Sequence, residues 1–138
     1  MDKKRVLVIE DNPVIALVIK HSIMSLNGQV EVGVSASAEE GETLFLSSQW
    51  DLIILGYQLP GMDGLELIRE LNPVMGATQW IMISGSNSNE IKYEVMHLGG
   101  YNYLAEPFSL DDLKKIVEQA LHLQHKEKAS GLNTSLPA

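Results

Sequence analysis

The chain has no cysteine among its 138 residues. Disulfides, thiolate catalysis and cysteine-based metal sites are therefore excluded, and the composition suits a reducing cytoplasm. Cations are scarce: 10 Lys and Arg against 18 Asp and Glu give a formal net charge of -8. Acidic surfaces repel phosphate backbones, so direct binding to DNA or RNA is not expected, while a basic protein partner is compatible with this charge. No apolar run approaches the roughly 20 residues that a membrane-spanning helix needs. The run that follows the basic start, Val6 to Ile9, is too short for a signal peptide. Glycine pairs occur at Gly99-Gly100 but fit no phosphate-cradling pattern, and neither an acyl-transfer triad nor an internal repeat is found.

What is present is an ordinary globular balance, 45% hydrophobic and 20% charged, at a length suited to one domain. The stretch Trp50 to Gly64 organises the rest. Leu52 to Leu55 form a continuous apolar run, which predicts a strand buried on both faces. Pro60-Gly61 then turns the chain, and Asp63 with Glu66 has capping-box spacing, so a helix is expected to open there and run through Leu71.

A second buried strand is predicted at Val6 to Ile9, ending in Glu10-Asp11. Asp11 or Asn12 can cap the helix that Pro13 begins. Val14, Leu17 and Val18 with Ile15, Ile19 and Ile23 make that helix apolar over much of its circumference, so deep burial is expected. Asn27-Gly28 supplies its stop signal. Val30, Val32 and Val34 alternate like a strand near the sheet edge, and Ser37 with Glu40 opens a helix to about Ser47. Further strands are predicted at Trp80 to Ile83 and Tyr101 to Leu104. The helix between them carries Ile91, Val95 and Leu98, and the last helix starts at Ser109. Residues 1–125 are expected to form the domain, and 126–138 a flexible tail or linker stub.

Alternating strands and helices imply right-handed crossovers and a parallel sheet covered on both faces. Five such units suggest an α/β doubly wound, flavodoxin-like sheet of order 2-1-3-4-5. Ligands of such sheets lie at the carboxyl ends of the strands. The residues placed there are Glu10, Asp11, Gly56, Ser84 and Glu106.

From Lys4 to Gln124 the chain resembles the receiver domain of response regulators. The match falls on five separate positions in family order and spacing. Glu10 and Asp11 correspond to the family's cation-holding acidic pair, and the carbonyl of Gln58 to its main-chain metal ligand. Ser84 corresponds to the hydroxyl residue near the phosphoryl group, and Tyr103 to the aromatic switch residue. Gly56 stands where the family has its phosphoacceptor aspartate, and Glu106 where it has a lysine. The resemblance also implies a cis peptide before Pro107.

Glycine offers no oxygen to a phosphoryl group or a metal, and Glu106 puts an anion where the family has a cation. At an effective dielectric near 20, two like charges ~6 Å apart repel by roughly 3 kcal/mol. Glu106 is expected to relieve this by turning to solvent. No cofactor is required, and magnesium binding is expected to be weak, through Glu10, Asp11 and Gln58. The resulting expectation is a non-enzymatic, cytoplasmic signalling module of a two-component system that works without phosphorylation. Its partner would be a histidine kinase, an output domain, another signalling protein or a second copy. The face implied for that contact carries Lys92, Tyr93, Met96, His97, Tyr101, Tyr103 and Lys114 as exposed candidates. Two alternatives remain: a phosphoreceiver with a non-standard acceptor, Asp11 or Ser84, and a metal-dependent sensor built on the acidic pocket.

Overall fold

The structure is a computed structural model that describes residues 3–26 and 30–123. Two apolar runs form its middle. β1 (Lys4–Ile9) pairs in parallel with β3 (Leu52–Gly56), in register from Val6 opposite Leu52 to Ile9 opposite Leu55. Val6 to Ile9 and Leu52 to Leu55 are all fully buried. Each such aliphatic side chain contributes about 1.5–3 kcal/mol on burial. β2 (Val30–Ser35) lies outside β1, while β4 (Gln79–Ser84) and β5 (Asn102–Ala105) continue beyond β3. The order is β2-β1-β3-β4-β5 and every pairing is parallel, as the alternation predicts. β5 starts and ends one residue later than its sequence pattern suggests.

Alternation along the strands divides the core into two layers. Leu7, Ile9, Ile53, Leu55 and Met82 face α2 (Ala38–Ser47), α3 (Gly64–Leu71) and α4 (Asn89–His97), meeting Phe45, Ile68 and Val95. Val6, Val8, Ile54, Ile81 and Ile83 face α1 (Pro13–Met24) and α5 (Leu110–Leu121), meeting Ile19, Ile23, Leu113 and Val117. The helix starts follow their capping residues. Asn12 accepts from the amides of Val14 and Ile15, Ser37 from Glu40, Ser88 from Ile91 and Ser109 from Asp112. Asp63 and Glu66 form both halves of a capping box. A single 3-10 turn, Asn72–Val74, follows α3.

α1 departs from expectation. It is not deeply buried: Val14 is 68%, Leu17 54%, Val18 40% and Met24 55% exposed. Ala16, Ile19 and Ile23 seat the helix on the sheet, and the second apolar stripe faces outward. The stop signal at Asn27-Gly28 and the segment 126–138 lie outside the described residues.

The loop after β3 returns tightly to it. The Gly64 amide donates to the Tyr57 carbonyl at 2.7 Å. A Cβ on Gly64 would lie 2.3 Å from the Gly56 carbonyl oxygen and 2.9 Å from Cε of Met82. The first residue of α3 is thus pressed against the end of β3, a contact that only a side chain of hydrogen size permits. Gly64→Ala is expected to lower stability by about 1–3 kcal/mol, the usual cost of overpacking. Urea denaturation checks this, and an unchanged midpoint would mean that the loop yields without cost.

Candidate functional site

The crevice is built by four strand ends. Backbone bonds prolong the ladder just past them: Glu10 N–H to the Ser35 carbonyl at 3.0 Å, Tyr57 to Ile83 at 2.8 Å, and Glu106 to Ser84 at 2.7 Å. These bonds set Glu10, Gly56, Ser84 and Glu106 side by side at the carboxyl edge of the sheet, as the sequence predicts. Asp11 follows Glu10 and is exposed, as is Gln58.

Glu10 dominates this crevice. It is 8% exposed, and its Oε2 accepts from the Asn12 amide at 2.9 Å. Its other oxygen points at residue 56: a Cβ there would lie 2.9 Å from Glu10 Oε1. The carboxyl of Glu10 therefore fills space beside Gly56 that a side chain at 56 would need. Burial pushes the Glu10 pKa up to about 7, a hydrogen bond with Asp11 and the charges of Asp11 and Glu106 add to the rise, and the Asn12 amide opposes it. A carboxyl tuned near neutrality was not legible in the sequence, because neither burial nor the approach to position 56 can be counted from spacing.

Glu106 does not swing away to solvent as expected. It is half-buried, its Oε1 lies 3.7 Å from where a Cβ of Gly85 would stand, and its charge is felt at Glu10. Its charge adds to the rise of the Glu10 pKa, so below neutral pH a proton on Glu10 lessens the repulsion among the carboxylates. The Glu106–Pro107 peptide is cis, as the resemblance implies.

Ser84 is buried, and its Oγ accepts from the Ser86 amide at 3.1 Å. Tyr103 is 7% exposed, and its hydroxyl donates to the Ser86 carbonyl. It is therefore not an exposed member of the partner face, because its ring enters the core and its hydroxyl is held by the loop after β4. Ser86 joins the two residues through backbone groups alone, so its side chain offered no signal in the sequence. Lys92, Tyr93, Met96 and His97 are exposed on α4, whereas Tyr101 and Lys114 are half-buried. The Tyr93 and His97 rings stack 5.7 Å apart and 11° from parallel.

The residues present do not fit the magnesium site that the resemblance implies. Magnesium demands near-octahedral oxygen ligation. Gly56 contributes no carboxylate, and one Glu10 oxygen is engaged by the Asn12 amide. Among the described residues no group of three or more carboxylates or histidines could hold a metal.

The raised Glu10 pKa predicts a pH dependence. Between the ordinary value of 4.5 and about 7, the folded chain keeps a proton that the unfolded chain releases. Stability from this group is full below pH 4.5 and lost as pH rises to about 7. The loss amounts to roughly 3 kcal/mol. Glu10→Gln keeps an acceptor for Asn12 and should remove this fall. Urea titrations of both proteins across that range check it, and parallel curves would refute it.

Comparison with known proteins agrees with this geometry. The family model described as the response regulator receiver domain matches residues 6–118. The chain is 28% identical over 130 residues to the probable C4-dicarboxylate response regulator DctR of Bacillus subtilis, covering 94% of this chain and 57% of that protein. It is 30% identical over 115 residues to the nitrate/nitrite response regulator NarL of Escherichia coli, covering 83% of this chain and 53% of that protein. The chain thus spans about half the length of these curated relatives. The Francisella response regulator 1452 receiver domain superposes with a TM-score of 0.79 at 30% identity, covering 87% of this chain and 98% of that one. The chemotaxis response regulator CheY4 of Vibrio cholerae shares the fold, with a TM-score of 0.78 at 24% identity and coverage of 87% and 100%. With its parallel sheet, its acidic strand ends and these matches, the chain belongs to the response regulator receiver domain family.

Proposed function

We propose that this receiver domain signals without accepting a phosphoryl group and acts by binding a protein partner through the face of α4, β5 and α5. The observation that carries this reading is Gly56 at the acceptor position, with the carboxyl of Glu10 leaning into the space beside it. The acidic side chains around it, Glu10, Asp11 and Glu106, offer a phosphoryl group no cation. Ser84 is a poor substitute acceptor, since it is 4% exposed and its Oγ is engaged by the Ser86 amide. Glu10 has a tuned pKa but little exposure and no neighbouring nucleophile, which supports a binding module over an enzyme.

A receiver without phosphate must take its conformational bias from its own sequence or from a partner, since a ligand shifts an equilibrium only by preferring one state. Tyr103 is drawn into the core with its hydroxyl on Ser86, which gives one such state a built-in preference. The stacked Tyr93 and His97, with exposed Met96 and Lys92, give α4 an adaptable surface, and Lys114 stands half-buried on α5. A histidine kinase, an output domain or another signalling protein fits the role.

Incubation with acetyl phosphate and magnesium is expected to leave the intact mass and the amide spectrum unchanged. A stoichiometric, acid-labile adduct would sink this reading. Gly56→Asp alone should remain a poor acceptor, because Glu10 must move and a further carboxylate joins the crevice. Gly56→Asp with Glu106→Lys should take up phosphate faster, and equal rates would remove Glu106 from the account.

For the face, Tyr93→Ala and Lys114→Glu should weaken capture of a cognate histidine kinase about tenfold, the scale of a loss near 1.4 kcal/mol, with the circular dichroism unchanged. Loss of capture through Asp11→Asn instead would make the crevice the functional surface.

A further inference from the structure

The groove between α3 and α4 has no part in the role described above. Its volume is about 640 Å³, within the range of ligand-binding clefts. Arg69 and Glu94, paired at 3.0 Å, bridge the two helices towards one end. Both helices follow parallel strands, so Asp63, the cap of α3, and Glu90, in the first turn of α4, share the other end. Buried Leu65 and half-buried Ile91 supply the apolar part of the lining. Tyr57 and exposed Tyr93 add two aromatic rings.

The charges of this groove do not cancel. Glu94 is answered by Arg69, whereas Asp63 and Glu90 have no cation among the described residues. Asp63 accepts from the Glu66 amide through Oδ1 at 2.8 Å, and no described group donates to its Oδ2. Glu90 is exposed and accepts from no described group. Lys92 does not compensate. Two residues on from Glu90, about 200° round the helix, it stands on the other flank of α4. The groove therefore joins an apolar stretch to two unanswered carboxylates. Arginine has that double character: an aliphatic stem for Leu65 and Ile91, and a planar cation for the carboxylates and the tyrosine rings. An acidic segment would meet repulsion there, and an apolar one would desolvate two carboxylates without pairing them.

We infer that the groove between α3 and α4 binds a basic segment of a protein partner. An arginine side chain lies along Leu65 and Ile91, with its guanidinium at Asp63 and Glu90. The site is separate from the face of α4, β5 and α5 and shares only Tyr93 with it.

Titration of the full chain with a short capped peptide of alternating leucine and arginine, followed by amide NMR, tests the site. Saturable shifts are expected from Asp63 to Arg69 and from Asn89 to Glu94, with binding that weakens as salt rises. The same peptide with citrulline in place of arginine keeps the shape and loses the charge, and should bind about tenfold more weakly. Glu90→Gln should weaken binding about threefold, and Asp63→Asn with Glu90→Gln about tenfold, because asparagine preserves the cap of α3. Arg69→Gln should tighten binding about threefold, since it removes a repulsion and releases Glu94. Glu39→Gln, an equal change of charge at an exposed position of α2, should leave the affinity unchanged. Absence of a saturable shift overturns the inference, as does equal binding of the citrulline peptide. So does Glu39→Gln matching Glu90→Gln, because net charge alone would then attract the peptide. Shifts centred on Glu10 and Asp11 would place the peptide in the crevice instead, and agmatine binding as tightly as the peptide would reduce the site to one for a small cation. None of these results bears on the α4, β5 and α5 face, which the kinase capture by Tyr93→Ala and Lys114→Glu tests separately.

Discussion

The fit of α3 against the end of β3 governs the geometry of the crevice. Gly56 closes the central strand, and Gly64 opens the next helix directly on its carbonyl. The seven residues between them must turn within that limit, which Pro60, Gly61 with its positive φ, and the Asp63 cap make feasible. The strand itself is held by burial on both faces, between β1 and β4. Position 56 is therefore fixed by backbone contacts that do not depend on its side chain. A glycine there removes a chemical group and leaves the frame standing.

The vacancy is chemical more than spatial. Glu10 leans towards position 56 while one of its oxygens stays on the Asn12 amide, so the amino end of α1 and the end of β3 share one carboxyl. Burial, with two neighbouring acids adding to it, raises the pKa of that carboxyl to about 7, so it is about half protonated at neutrality. Below neutral pH the proton on Glu10 offsets part of the negative charge that Asp11 and Glu106 bring to this crevice. The sites of a family can be kept in outline while the means of neutralising them changes.

Much of the fold could be read from the chain because its signals were local. Four-residue apolar runs marked β1 and β3, and polar caps at Asn12, Ser37, Asp63 and Ser109 marked helix starts within a residue. Strand order followed from the five alternating units, which suggest the doubly wound order 2-1-3-4-5. The misreadings arose where a third element decides. Apolar periodicity in α1 cannot tell whether a second stripe finds a neighbour, and the described residues supply none. Tyr103 on the edge strand β5 could point either way until the loop carrying Ser86 gave its hydroxyl a partner. Glu106 was expected outside because its length allows it, yet it lies half-buried at the rim of the crevice, where Gly85 has no side chain to displace it.

The far end of the sheet has its own consolidation. Arg5 lies 4.4 Å over the Trp50 ring, the Trp50 indole N–H donates to the Leu44 carbonyl, and Asp51 accepts from the Arg5 amide. Trp50 and Trp80 are the two tryptophans of the chain, and both belong to the layer shared with α2, α3 and α4. Tryptophan fluorescence, excited selectively, is consequently a one-sided reporter. It records loosening of that layer and is nearly blind to events at α1 and α5, so an optical signal that stays constant says nothing about whether the opposite face of the molecule has found company.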